Sequence, residues 1–208
     1  MTRSLAFLLP CAAGAAGLYA ARRAGDGTPE YYALTLAVAA VYATAWATWG
    51  DRSALSGRGT AAQLAGGVGA GLALAVVFFA GALVASRIPA FAEPVSVLLS
   101  TTQRGGLAPT LAVLVLNGIG EELVYRDVVP RQLARGGFVR ARLPAAAASV
   151  GIYVLMTVAM GVPLLLVGAA ALGALCQWLA CRTGRLWAPV GAHLAWSTSM
   201  LLVLPLFF

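Results

Sequence analysis

In the run Leu116-Asn117-Gly118-Ile119-Gly120-Glu121-Glu122-Leu123-Val124-Tyr125-Arg126, two adjacent glutamates sit inside an otherwise apolar segment. The chain has only seven acidic residues. Ionised groups are costly at membrane depth and normally face a polar cavity that uses them. On a helix, Glu122 and Arg126 are four apart and stack on one face, where they can pair. Glu121 points about 100° away, on the face that also carries Asn117 and Tyr125. One carboxylate therefore has a local partner, and the other is left for chemistry.

Two further segments offer polar groups at helical spacing. Ser149, Tyr153 and Thr157 form one stripe, and His193 and Ser197 form another. A carboxylate beside a histidine in a partly dry cavity can activate water as a general base, while the histidine stabilises the negative charge that develops. Each group also has a structural reading. Glu122–Arg126 can be a buried pair that only offsets its own desolvation. Ser149 and Thr157 can bond back to helix carbonyls, and Tyr125 and Tyr153 can simply pack. Glu121 has no local structural partner in the sequence, which sets it apart.

The elements that would position these groups follow from composition. The 208 residues are 61% hydrophobic and 10% charged, against about 25% charged in soluble domains. Breaks in hydrophobicity give about seven spans, roughly 4–21, 31–49, 61–86, 107–126, 144–160, 163–181 and 187–206. The expected fold is all-α, a polytopic membrane bundle forming one membrane domain, with residues 1–106 carrying the first three helices and a loop. The N-terminal segment reads as a retained span, and Ala90 to Ser100 as an interfacial stretch. The glycines of 66–71 include a Gly-x-x-x-Gly spacing, suited to close packing inside the bundle. Cys11, Cys176 and Cys181 match no zinc or redox spacing and read as reduced thiols.

All fourteen basic residues are arginine, and the formal net charge is +7. They are scattered among the spans rather than clustered with aromatics, so topology rather than nucleic acid accounts for them. Arg3, Arg52, Arg58, Arg131, Arg135, Arg140, Arg142, Arg182 and Arg185 group at one set of span ends, and Arg22, Arg23, Arg87 and Arg104 at the other. The excess places the first set, and the N-terminus, in the cytoplasm, with the C-terminus outside. Glu121 and His193 then fall at similar depths, each about 10 Å from the cytoplasmic boundary at 1.5 Å rise per residue.

Glu121-Glu122-Leu123-Val124-Tyr125-Arg126 resembles the Glu-Glu-x-x-x-Arg motif of the CAAX-protease and bacteriocin-processing (CPBP) family of intramembrane proteases. His193-Leu194-Ala195-Trp196-Ser197 resembles its His-x-x-x-Asn motif with serine in the last place. Leu186-Trp187-Ala188-Pro189 resembles the usual lead-in to that motif. Tyr153-Val154-Leu155-Met156-Thr157 stands where the family has Phe-x-x-x-His. The resemblance covers about the last hundred residues, from Leu107, and departs from the family at Thr157, where the second-motif histidine is missing.

The resemblance implies a cytoplasm-facing cavity in a helical bundle of the cell membrane. It implies cleavage of peptide or protein substrates, with or without a lipid modification. Glu121 would activate water, with Glu122, Arg126, His193 and Ser197 completing the catalytic set, the last two holding the oxyanion. Asn117, Tyr125, Tyr153 and Thr157 are candidates for substrate contact. Threonine can orient a water but cannot shuttle a proton near pH 7. With one histidine in the chain, a two-histidine zinc site within one subunit is impossible, and neither metal nor cofactor is expected. Two alternatives stay open. One is a catalytically inactive scaffold of the same type that binds a peptide or partner protein in immunity or maturation. The other, a small transporter, lacks the repeated halves and broken helices of that class.

Overall fold

The structure, a computed structural model, describes residues 5–100, 104–139 and 142–207. Arg3 and Arg140, counted in the arginine bias, lie outside the described residues, as does the side chain of Arg142. The described residues form helices and no strand, the arrangement that lets apolar segments satisfy their own backbone groups in lipid.

In chain order the helices are α1 (Leu9–Ala24), α2 (Pro29–Trp49), α3 (Thr60–Ala85), α4 (Pro89–Leu99), α5 (Leu107–Glu122), α6 (Val129–Arg135), α7 (Arg142–Thr157), α8 (Pro163–Thr183) and α9 (Trp187–Val203). Among the described residues, six segments are long and apolar enough to cross a membrane: Pro29–Trp49, Thr60–Ala85, Leu107–Arg135, Leu143–Met160, Pro163–Thr183 and Trp187–Leu206. The expected first span, 4–21, corresponds to the helical turn Ala6–Leu8 and α1, which packs along α2 and is not among those six. The expected interfacial stretch is α4, an 11-residue helix with Pro94 inside it.

Local signals explain the boundaries. α2 begins where Thr28 accepts a hydrogen bond from the Tyr31 N–H at 3.1 Å, with Pro29 in the first turn. Ahead of it, Asp26 pairs with Arg22 at 2.5 Å. Burial pushes the Asp26 carboxyl above its usual range, against the opposing charge of Arg22. Thr110 of α5 meets Tyr32 of α2 at 2.8 Å, which ties two spans together at that end.

At the opposite end a polar belt joins α2, α6 and the 3-10 turn Arg52–Leu55. Asp127 accepts from the Trp46 indole at 2.9 Å and from the Asp51 N–H at 2.7 Å, and also pairs with Arg131. Arg131 reaches Asp51 at 2.9 Å. Nearby, Arg185 donates to the Arg58 carbonyl at 2.6 Å. Arg58, Arg131 and Arg185 thus share one end, and Arg22 lies at the other, as the two arginine groups predict.

The closest helix contact is α3 against α9. Gly67 and Gly71 lie on the Ala188 and Ala192 carbonyl oxygens, where a Cβ on either would overlap the backbone of α9. The Gly-x-x-x-Gly spacing is therefore used inside the bundle. The contact fixes the height and rotation of the helix that carries His193.

Candidate active site

The expected span 107–126 does not end at Arg126. α5 passes into a π-helical turn, Leu123–Val128, and continues as α6. In this turn the Val129 N–H reaches back to the Val124 carbonyl, five residues away. All six residues of the turn are buried. Wide turns of this kind leave a backbone group without its usual helical partner. Here the Ser149 hydroxyl donates to the Tyr125 carbonyl across the helix interface. Of the two readings open for Ser149, a bond back to its own helix is not the one used, and the hydroxyl braces the turn. Thr157 does bond back, donating to the Tyr153 carbonyl at 2.9 Å.

The turn follows directly on Glu121 and Glu122, so both carboxylates leave the last regular turn of α5. Glu122 is fully buried. Its Oε2 accepts from the Arg126 Nε at 3.1 Å, and its Oε1 lies 2.7 Å from the His193 Nδ1. The pair expected from spacing alone is thus one end of a longer relay. With Nδ1 held by Glu122, the Nε2 of His193 is the nitrogen left to face the rest of the site. Glu121 Oε2 lies 3.9 Å from it, too far for a direct hydrogen bond. Carboxylate and imidazole face a common space instead.

Aromatic rings wall this arrangement. The Arg126 guanidinium sits over the Tyr153 ring, 4.9 Å from its centroid. Tyr153 packs on Tyr125 at 5.0 Å between centroids, and Tyr125 meets the Tyr42 ring edge-on, with the two hydroxyls 3.5 Å apart. Sequence reasoning missed Tyr42. It is one apolar-span tyrosine among several, and nothing in its spacing marks it. Asp127 was also missed, although its four-residue distance from Arg131 was a visible pairing signal.

A cavity of about 550 Å³ extends from this cluster. Glu121, Tyr125, Tyr153, Thr157, His193 and Ser197 supply polar groups on a predominantly apolar wall. Asn117 also lines it, but its amide is spent on structure, donating to the Thr35 and Val113 carbonyls at 3.0 Å each, so only its buried Oδ1 remains without a protein partner among the described residues. Glu122 and Arg126 are not on this wall; they stand behind His193. The cavity runs toward the helix ends that carry Ala85, Met160 and Leu204, away from the belt of Asp51, Asp127 and Arg131. An active cavity on the arginine-rich side was expected. The depth of Glu121 along its helix could not reveal it, because the direction of the open space depends on how α3, α7 and α8 splay.

Residues 103–199 match the family model described as type II CAAX prenyl endopeptidase Rce1-like. Over that segment the chain is Rce1-like, in keeping with the resemblance to CPBP intramembrane proteases. Comparison with curated proteins and with solved structures gave no match. The six apolar helices, together with the Rce1-like match over residues 103–199, indicate a multi-pass membrane protein.

Proposed function

We propose that the protein is an intramembrane endopeptidase that hydrolyses peptide bonds with a water activated by Glu121. The observation that carries this reading is the relay Arg126–Glu122–His193, which turns one imidazole nitrogen toward Glu121 across the mouth of an apolar cavity. Arg126 holds Glu122, and Glu122 holds Nδ1. The ring then cannot rotate away, which is the preorganisation that electrostatic catalysis requires.

In the proposed step, Glu121 takes a proton from water as the water attacks the scissile carbonyl. His193, doubly protonated between two carboxylates, donates through Nε2 to the oxyanion. Ser197, one turn further along α9, offers a second donor of shorter reach. The Glu121 carboxylic acid then returns its proton to the leaving amine, so the general base is restored at the end of the cycle. The predominantly apolar walls suit a peptide or protein substrate that enters from the bilayer, with or without a lipid chain.

One observation favours the non-catalytic reading. The Thr157 hydroxyl is bound to its own helix, so the place of the family's second histidine supplies no proton carrier here. The purified protein in liposomes, assayed on lipidated and unlipidated peptides, separates the two readings. An enzyme loses at least about 100-fold in cleavage with Glu121→Gln and with His193→Ala, the scale of a lost general acid–base group. Binding of the same peptides without cleavage by the wild type overturns the catalytic reading in favour of a scaffold. The cell membrane, with the N-terminus cytoplasmic and the C-terminus outside, is the location we infer from the arginine bias.

A further inference from the structure

A carboxylate on a cavity wall has several staggered rotamers, and a base works only from the one that faces the reacting atoms. Something must therefore hold Glu121. Most polar neighbours on its wall are spent elsewhere. Thr157 donates to the Tyr153 carbonyl, the Asn117 amide donates to the Thr35 and Val113 carbonyls, and the Tyr125 hydroxyl lies 3.5 Å from that of Tyr42. His193 stands 3.9 Å away, beyond direct hydrogen bonding. The Tyr153 hydroxyl differs from all of these. It belongs to the same wall and meets the Glu121 carboxylate as a side-chain donor.

The ring that carries this hydroxyl is buried and clamped on three sides. Tyr125 of the π turn packs on it at 5.0 Å between centroids, and the Arg126 guanidinium covers it at 4.9 Å. The third side is α8. A Cβ at Gly173 would stand only 3.1 Å from Tyr153 Cδ1, so the bare glycine backbone is what lets the ring seat there. One guanidinium thereby serves both carboxylates. Arg126 holds Glu122 through Nε, and through the face of Tyr153 it steadies the group that meets Glu121.

We propose that Tyr153 is a positioning residue, its phenolic O–H holding the Glu121 carboxylate in the orientation that faces the Nε2 of His193. The proposal rests on the reading of Glu121 as the general base. A phenol suits this task because it donates one hydrogen bond and brings no charge, whereas a cation in its place would pair with the carboxylate and weaken it as a base. Packing alone would be served equally well by phenylalanine, so the hydroxyl is the atom to test.

Tyr153→Phe keeps the ring against Tyr125 and Arg126 and removes only that hydroxyl. The full chain in phosphatidylcholine nanodiscs is compared with this variant by infrared difference spectroscopy and by steady-state peptide cleavage. The proposal expects a carboxyl band in the difference spectrum that vanishes when the same pair is compared on a Glu121→Gln background. It also expects kcat to fall about tenfold with KM changed by less than about twofold, the mark of one lost hydrogen bond to a charged group that acts after binding. Tyr19→Phe, at an exposed position of α1, leaves both readouts unchanged. Absence of a Glu121-dependent carboxyl band overturns the proposal. An unchanged kcat does so too, and if KM rises with it, Tyr153 is a substrate contact instead. A wild type that cleaves nothing yet shows the band sinks the protease reading alone, because the spectrum establishes the Tyr153–Glu121 contact without any turnover.

Discussion

Two cavities flank the π turn Leu123–Val128, and they have opposite characters. The larger is predominantly apolar and holds Glu121 and the free face of the imidazole. The smaller is charged, with Arg131, Arg135, Arg185, Asp51 and Asp127 on its wall. Residues of the turn divide between them, Tyr125 lining the first and Asp127 the second. Arg126, between these two, keeps its side chain fully buried against Glu122 and reaches the second cavity only through its backbone. The lesson is that the Glu-Glu-x-x-x-Arg motif does not describe one wall. Its first residue faces the apolar space, and the other two form the buried pair that holds His193.

The comparison can be broken most decisively by asking which side each cavity faces. If the arginine excess sets orientation, the charged cavity is cytoplasmic and the apolar one extends toward the outer ends. Cys181, exposed at the arginine-rich end, should then react with a membrane-impermeant maleimide in inverted vesicles and not in right-side-out cells. The all-or-none reversal of that pattern would place the apolar cavity on the cytoplasmic side, where the family resemblance puts it.

A large loss is expected when the apolar side is disturbed without touching a polar group. Gly71→Val drives a side chain into the Ala192 carbonyl. It should displace α9 at an overpacking cost of about 1–3 kcal/mol. Because His193 is the next residue along, peptide cleavage should fall about 100-fold while circular dichroism stays helical. Retained cleavage would show that the α3–α9 contact does not position the imidazole.

Thr157→His tests whether the apolar cavity lacks a proton carrier. Thr157 lines it together with Glu121 and His193, so an imidazole there should raise turnover by about tenfold, below the full scale of a general acid–base group because the geometry is not evolved for it. An unchanged rate would mean that Glu121 and His193 suffice.

The smallest effect belongs to the rim of the charged cavity. Hydrogen bonds from Ser53, with help from Arg131, hold the exposed Asp51 carboxyl below its usual range. A lowered folded-state value adds stability above the unfolded value near 3.9, which is lost as pH falls through the lowered value. Asp51→Asn, which mimics the protonated carboxyl, should therefore lower the melting temperature slightly above about pH 4 and leave it unchanged in strong acid. A loss of the same size at every pH would contradict that assignment.

Particular residues show how far the sequence could be read. The Glu122–Arg126 pair followed from i,i+4 spacing, which any helix enforces, and the packing of Gly67 and Gly71 followed from the absence of side chains. Thr157 bonding its own helix is likewise a local event. Ser149 went astray because its acceptor, the Tyr125 carbonyl, is freed only by the π turn, and no local propensity marks that turn.

What the sequence by itself determined is therefore the class and the cast. Continuous apolar runs of this length satisfy their backbone in lipid as helices, and the adjacent glutamates, the arginine and the single histidine carry the resemblance to the family whose model matches residues 103–199. What only the tertiary structure decided is who meets whom. Bringing Glu122 and His193 together across 71 positions, and opening the apolar cavity in front of Glu121 while Arg126 is sealed behind it, depend on lateral packing. Helical periodicity determines which way a side chain leaves its own helix. It carries no information about which neighbour, or which empty space, waits there.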